Sequence, residues 1–156
     1  MAVNKQPLFT GTIRLESLTF DPPVITGHYD MQNTWSTAPT VVFTATSDYG
    51  DIVDRITISS TGDLTNTAIN AKLVYIYVGV YNGSTYAYSL YKTLTIPATT
   101  ITDTTPNPEL ELVMQGGLLL AKDDQILIGA SNNSSNSGQQ GDRLSVTVEG
   151  GNYTAP

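Results

Sequence analysis

The stretch that decides the fold reads Lys72-Leu73-Val74-Tyr75-Ile76-Tyr77-Val78-Gly79-Val80-Tyr81, then Asn82-Gly83, then Ser84-Thr85-Tyr86-Ala87-Tyr88-Ser89-Leu90-Tyr91. Both halves alternate with the two-residue period of a β-strand, in which successive side chains point to opposite faces. The Asn-Gly pair between them is the preferred two-residue hairpin turn, because both residues tolerate positive φ. The stretch therefore predicts one antiparallel β-hairpin.

The two faces of this hairpin differ in chemistry. With Asn82-Gly83 as the loop, Tyr81 pairs with Ser84, Gly79 with Tyr86, Tyr77 with Tyr88 and Tyr75 with Leu90. One face is then aliphatic and suits the core, and the other gathers five tyrosines. The aliphatic residues are Val74, Ile76, Val78 and Val80, and the tyrosines are Tyr75, Tyr77, Tyr81, Tyr86 and Tyr88.

The tyrosine face has three possible roles. Tyrosine is enriched at protein interfaces, because it brings a large amphipathic area at low entropic cost. It can also lie between two sheets if each hydroxyl finds a partner, or it can stack on a sugar. Because the aliphatic face is the better candidate for the core, we interpret the tyrosine face as a contact surface.

The remaining segments predict short strands separated by Gly, Asn and Asp turns, without a convincing helix. Thr12 to Leu18 is expected to bury Ile13, Leu15 and Leu18, and Ile52 to Ser59 is expected to bury Ile56 and Ile58. Further strands are expected at 24–26, 40–46, 109–114, 118–120, 125–130 and 143–149, with turns at 115–117 and 123–124 and a polar loop at 131–141. Such spacing is typical of an all-β sandwich or barrel.

We predict an all-β protein with a single antiparallel, jelly-roll-like β-sandwich and an extended N-terminal arm. The arm comprises residues 1–10 and the sandwich comprises residues 11–156. An immunoglobulin-like topology is the alternative, although the chain lacks the Cys–Trp–Cys framework that would favour it. The arm could reach a neighbouring molecule, and we expect it to contribute Leu8 and Phe9 to an interface.

Composition narrows the possible functions. The net charge is −7, and the seven basic residues are scattered along the chain, which argues against binding of nucleic acid. Charged residues make up 13% of the chain, about half the usual share, and a polar surface with so little charge suits a protein that lies against other protein. No apolar run approaches the roughly 20 residues of a membrane helix, and the N-terminus has no hydrophobic signal region.

Few residues offer catalytic or metal chemistry. His28 is the only histidine and cysteine is absent, so thiolate and multi-histidine sites are impossible. We interpret Glu109 and Glu111 as solvated, and Asp123-Asp124 as a turn in which Asp side chains accept backbone amides. Asp48, Asp51 and Asp54 could in principle bind calcium, but turn chemistry explains them equally well. We therefore expect no enzyme, no metal site and no cofactor.

The second half of the chain resembles a known class of proteins in the order of its segments. A Tyr/Val hairpin (Tyr75–Leu90) is followed by the segments Lys92–Asp103, Leu110–Leu120, Asp123–Ser131 and Leu144–Tyr153. Together they resemble small virion accessory proteins of tailed bacteriophages, namely capsid cement or decoration proteins and related head or tail appendage modules. The resemblance covers about Ala71 to Tyr153 and includes no catalytic residues.

The resemblance implies a function. Such proteins are typically β-sandwiches, often homotrimers, that bind the outside of the phage shell and clamp neighbouring major capsid subunits. It implies a structural protein of the outer capsid surface, made in the cytoplasm of the host bacterium, with the major capsid protein as its partner. The alternative is a receptor- or glycan-binding module of a phage tail appendage, which would use the same tyrosines.

Overall fold

The computed structural model describes residues 10–25, 37–61, 68–131 and 143–153, and in these ranges the chain forms ten β-strands and no helix. No helix long and apolar enough to cross a membrane occurs in these ranges. The strands are β1 (Thr10–Phe20), β2 (Thr40–Thr44), β3 (Asp51–Thr61), β4 (Ala68–Ile69), β5 (Lys72–Tyr81), β6 (Tyr86–Ile96), β7 (Thr99–Thr100), β8 (Glu109–Leu120), β9 (Gln125–Ala130) and β10 (Arg143–Tyr153).

Eight of the strands form two four-stranded antiparallel sheets. The β1 sheet has the order β1-β10-β3-β8 and the β2 sheet has the order β2-β9-β5-β6, while β4 and β7 pair separately. The first strand pairs with the last, the second with the second to last, and so on inward through the short β4–β7 pair to the β5–β6 hairpin. This nested pairing defines a jelly roll, so the predicted fold class is confirmed and the immunoglobulin-like alternative is wrong.

The core lies between the inner faces of the two sheets. Ile56 and Ile58 of β3 are fully buried there, as predicted, and they pack with the aliphatic face of β5. Val74, Ile76 and Val78 lie in this core, whereas Val80 is 49% exposed near the hairpin tip. The alternation of β5 therefore identified the buried face correctly.

The hairpin register differs from the prediction by two residues. Tyr81 pairs with Tyr86, and Gly79 pairs with Tyr88, because Gly83 and Ser84 form the centre of the turn. The Asn82 side-chain carbonyl accepts the amides of Ser84 (3.0 Å) and Thr85 (2.9 Å), which places Asn82 before the turn. A shift of two residues keeps every side chain on its predicted face.

A β-bulge at Tyr91 then changes the face that β6 presents to the core. Before the bulge Leu90 pairs with Tyr77, and after it Lys92 pairs with Ile76. The extra residue turns Leu94 and Ile96 inward, whereas Tyr86, Tyr88 and Leu90 face outward.

Two further strand predictions need correction. Residues 115–117 form a wide bulge within the continuous strand β8, where glycines at 116 and 117 adopt positive φ of 82° and 77°, and they are not a turn between two strands. Residues 24–26 were expected to form a short strand, but Val24 makes only an isolated bridge with Ala130, and residue 26 lies outside the described ranges.

Candidate functional site: the two outer faces of the sandwich

The tyrosines divide into a covered pair and a more accessible group. Tyr75 is 4% exposed and Tyr77 is 2% exposed, and both pack with Ile25 and Leu127 in a small second cluster on the outer face of the β2 sheet. Tyr81, Tyr86 and Tyr88 are half-buried further along the same face. The interface prediction is therefore corrected for Tyr75 and Tyr77, which no partner can reach, and stays a prediction for the other three.

The segment that covers Tyr75 and Tyr77 is held to the sheet by backbone hydrogen bonds. The Ile25 amide donates to the Ala130 carbonyl at 2.8 Å, and the Ala130 amide donates to the Pro23 carbonyl at 3.0 Å. Gly129 permits this close approach, because a Cβ at that position would overlap the Ile25 side chain. Burial raises the pKa of the Tyr77 hydroxyl, and the nearby Tyr75 raises it further.

The three accessible tyrosines form a contiguous group of rings, which we call the tyrosine ladder (Tyr81, Tyr86 and Tyr88). Ring centroids are 5.0 Å apart for Tyr81 and Tyr86, and 5.7 Å apart for the stacked pair Tyr86 and Tyr88. The Tyr88 ring covers Gly79, where an added Cβ would lie 2.8 Å from the ring. The sequence predicted Tyr86 as the partner of Gly79, and the shift in register explains why Tyr88 takes this position.

The outer face of the β1 sheet carries the larger exposed apolar surface, and β1 is the reason. Ile13 is 86% exposed and Leu15 is 67% exposed, although both were expected in the core. The alternating residues Arg14 and Glu16 lie toward β2 and line a cleft of about 500 Å³ between the edges of the two sheets. Strand β1 is therefore inverted relative to the usual pattern, with its charged side chains inward.

Ion pairing explains how β1 tolerates this inversion. The Arg14 guanidinium lies 4.6 Å from the Phe43 ring centroid and donates to the fully buried Asp51 carboxylate at 2.6 Å. It also pairs with Glu16, and the same Asp51 oxygen accepts the Thr46 amide at 2.7 Å. A buried charge is stable only when it is paired and hydrogen-bonded in this way. A sequence pattern that counts only apolar residues has no means of placing Arg14 inside.

Outward, β1 begins an exposed patch that crosses the whole sheet. Ile13 stands in a row with Gly151, Ile52 and Leu119, and the next row is Leu15, Glu149, Arg55 and Val113. Leu119 is 64% exposed and Val113 is 56% exposed. We call the five apolar residues of these two rows the apolar belt: Ile13, Leu15, Ile52, Val113 and Leu119.

The rest of this face is polar. The two rows below the belt carry only Ser, Thr and Glu side chains, namely Ser17, Thr147, Thr57 and Glu111, then Thr19, Ser145, Ser59 and Glu109. Arg55 lies 3.0 Å from Glu111 and 3.8 Å from Glu149, so the central charges of the face are partly neutralised. The wide bulge of β8 borders an open depression of about 570 Å³ beside Ile13 and Val113.

The candidate calcium ligands do not converge. Asp51 is buried with Arg14, and Asp48 forms an ion pair with Lys122. Within the described ranges, no three His, Cys, Asp or Glu side chains lie close enough to hold a metal ion. Turn chemistry is confirmed at Asp124, whose carboxylate accepts the amides of Ala121 and Tyr81, both at 2.9 Å. Glu109 and Glu111 are exposed, as expected.

Several predicted residues fall outside the described ranges. They are Leu8 and Phe9 of the arm, together with His28, so their predicted roles are untested. Nearly all of the polar loop at 131–141 lies outside as well. The division into an arm (1–10) and a sandwich (11–156) also stays a prediction.

Comparisons with known proteins add little to this geometry. No protein-family model and no curated protein matches the chain. Among solved structures, the globular domain of zebrafish complement 1qA protein is similar over 90% of this chain and 98% of that chain, with 9% sequence identity and a TM-score of 0.46. A similarity this distant assigns neither a family nor a ligand. The assignment of a jelly roll rests on the strand order alone.

Proposed function

We propose that this chain is a structural protein of a tailed-bacteriophage virion, a cement or decoration protein that binds the outer surface of the shell and stabilises contacts between major capsid subunits. The observation that carries the proposal is the apolar belt, because large apolar patches on a soluble domain mark surfaces that another protein covers. The phage context comes from the resemblance of residues 71–153 to virion accessory proteins.

The belt supports self-association as the first step of such a role. Ile13 and Leu15 lie on an edge strand with their side chains mostly in solvent. Burial of these side chains against another subunit would stabilise the assembly by about 25 cal/mol per Å² of apolar surface removed from water. Stable interfaces bury about 800 Å² on each partner, which is the scale of one sheet face. We therefore propose a homo-oligomer, a trimer by the resemblance, that packs through the β1 sheet.

The same features support a contact role and not a catalytic one. The buried carboxylates Asp51 and Asp124 are used in structural pairing, and the exposed Glu109 and Glu111 lie on an open sheet face. A surface rich in Thr and Ser with little charge can be covered over a large area at low desolvation cost. A protein that binds only the assembled shell would stabilise that shell by mass action.

The location on the particle is the direct test. Virions that encode this chain should be purified, and its copy number measured by quantitative mass spectrometry and its density located by cryo-electron microscopy. We expect many copies on the outer capsid surface at local symmetry sites, each in contact with the major capsid protein. A few copies found only at the tail tip would contradict the proposal.

The tyrosine ladder favours one alternative, a receptor- or glycan-binding module of a tail appendage. Three neighbouring rings near a hairpin tip offer an aromatic surface of the kind that also binds sugars. A glycan array should then give a ligand whose binding is lost in Tyr86→Ala. An array without any hit at millimolar glycan concentration would count against this alternative.

A further inference from the structure

The tyrosine ladder is a rigid surface, which makes it suited to recognition. The Tyr81 backbone amide is held by Asp124 at 2.9 Å, and the Tyr88 ring rests on Gly79. The turn beyond Tyr81 is fixed by the Asn82 side chain, which accepts two backbone amides. Aromatic side chains held in this way lose little conformational entropy when a partner binds.

The ladder lies in a negative electrostatic environment. Burial raises the pKa of Tyr86, and the nearby carboxylates of Asp123 and Asp124 are among the charges that raise it further. Asp124 is buried and its carboxylate accepts the Tyr81 amide at 2.9 Å, which places its neighbour in sequence, the half-buried Asp123, beside the ladder. Lys122, its neighbour in sequence, forms its ion pair with Asp48. Across the described residues, no ion pair uses the Asp123 carboxylate.

The interior of the same protein contains a related arrangement with its cation in place. The Arg14 guanidinium lies 4.6 Å from the Phe43 ring centroid while it donates to Asp51 at 2.6 Å. An aromatic face and a carboxylate together satisfy the flat surface and the charged edge of a guanidinium. Tyr86 and Asp123 offer the same two groups at the surface.

We propose that the tyrosine ladder and Asp123 bind an arginine side chain from a basic segment of another protein. The guanidinium stacks on the accessible side of one ring of the ladder and its edge pairs with Asp123. Charge complementarity favours this occupant, because the chain has a net charge of −7 and Arg14, Arg55, Lys122 and Arg143 are already engaged with its own carboxylates. The proposal concerns a different surface from the apolar belt and does not depend on a role in a virion.

Arginine is favoured over lysine for two physical reasons. Its guanidinium is planar and weakly hydrated, so it stacks on an aromatic ring at a lower desolvation cost than an ammonium group does. It also presents donors along one edge, which suits a carboxylate beside the ring. A neutral side chain of the same shape, such as citrulline, would retain the stacking but lose the charge.

The test uses the intact protein with 13C-labelled tyrosine rings and three peptides. The peptides are acetyl-Gly-Arg-Gly-Arg-Gly-amide and its versions with lysine or citrulline in place of arginine. We expect the ring signals of Tyr81, Tyr86 and Tyr88 to shift saturably with the arginine peptide, and to need higher concentrations of the lysine peptide and the highest of the citrulline peptide. Binding should weaken as salt rises, because the attraction is electrostatic.

Two matched variants test whether the Asp123 carboxylate contributes to binding of the arginine peptide. Asp123→Asn should lower the affinity for the arginine peptide about two- to fivefold, which is the scale of one charge contact at a protein surface. Asp123 has a φ of 71°, a conformation that asparagine tolerates, so the turn is expected to be kept. The control is Asp103→Asn, which removes an exposed carboxylate from a different turn and should leave binding unchanged.

Four outcomes would overturn the proposal. One is equal binding of the citrulline peptide, and another is unchanged affinity in Asp123→Asn. The third is a shift of the ladder signals with maltotriose but not with the arginine peptide, which would favour a sugar platform. A folded Tyr86→Ala variant that keeps full affinity for the arginine peptide would also contradict it.

Discussion

The outer faces of the two sheets differ in whether their large apolar side chains are covered or exposed. On the β2 sheet, the chain covers Tyr75 and Tyr77 with its own segment around Ile25, although these tyrosines are the most conspicuous feature of the sequence. On the β1 sheet, Ile13 and Leu15 stay exposed, although their pattern predicts burial. The outer surface of the β2 sheet is therefore largely covered by the chain itself. The outer surface of the β1 sheet leaves its apolar side chains in solvent, and this exposure is the basis of the proposed oligomer.

The largest loss of stability is expected from substitution of a tyrosine that the chain itself covers. Tyr77→Ala should lower the free energy of unfolding by about 3–5 kcal/mol, the range for removal of a buried aromatic ring. Tyr86→Ala, on the same face but half-buried, should cost about 1 kcal/mol or less. Urea unfolding followed by circular dichroism measures both. Equal losses in the two variants would show that the division of the tyrosines is wrong.

A smaller loss of stability is expected when the segment around Ile25 is displaced and the tyrosines are kept. Gly129→Val should cost about 1–3 kcal/mol, because its side chain would collide with Ile25. Ser89→Val introduces the same side chain at an exposed position of β6 and should change stability by no more than about 0.5 kcal/mol. If Gly129→Val unfolds at the wild-type urea concentration, the segment around Ile25 does not pack as described.

The burial of Tyr77 also predicts a dependence on pH. Its pKa is raised above the ordinary value of 10.0, so at alkaline pH the unfolded chain releases this proton first. Because the unfolded state then binds fewer protons, the free energy of unfolding falls as pH rises from about 10 through the folded pKa. Tyr77→Phe, which cannot ionise, should flatten this fall in unfolding measurements between pH 9 and 11. If the free energy of unfolding of Tyr77→Phe falls as steeply with pH as that of the wild type, a group other than Tyr77 causes the fall.

The smallest effect on stability is expected at the apolar belt. Leu15→Ala should change the free energy of unfolding of the isolated chain by no more than about 0.5 kcal/mol, because the side chain is mostly in water. Ile56→Ala, at a fully buried position of the same sheet, should cost about 2–5 kcal/mol and serves as the reference. The measurement is urea unfolding at a protein concentration low enough to dissociate oligomers.

Local patterns in the sequence predicted the fold well. The alternation of Val74, Ile76 and Val78 identified a buried face, because the two-residue period is a property of each strand alone. The hairpin itself followed from Asn82-Gly83, and only its register was wrong by two residues, because the Asn82 side chain takes part in the turn.

The outer surfaces could not be predicted in the same way, because they depend on contacts between distant residues. Tyr75 is covered by Ile25, which lies far away in sequence, and no local pattern indicates that contact. Ile13 and Leu15 point outward because Arg14 pairs with Asp51 on another strand. The predicted contact surface therefore shrinks to the tyrosine ladder, and the apolar belt emerges only from the structure.

The most direct test of the account is self-association through the apolar belt, measured by sedimentation velocity over a range of concentrations. We expect the wild-type chain to form an oligomer, and Leu15→Asp to convert it to a monomer without loss of the folded state. Val80→Asp, which changes an exposed apolar residue of the β2 sheet, should leave the oligomer intact. A wild-type chain that is monomeric at every concentration, or an oligomer that Leu15→Asp does not affect, would contradict the account.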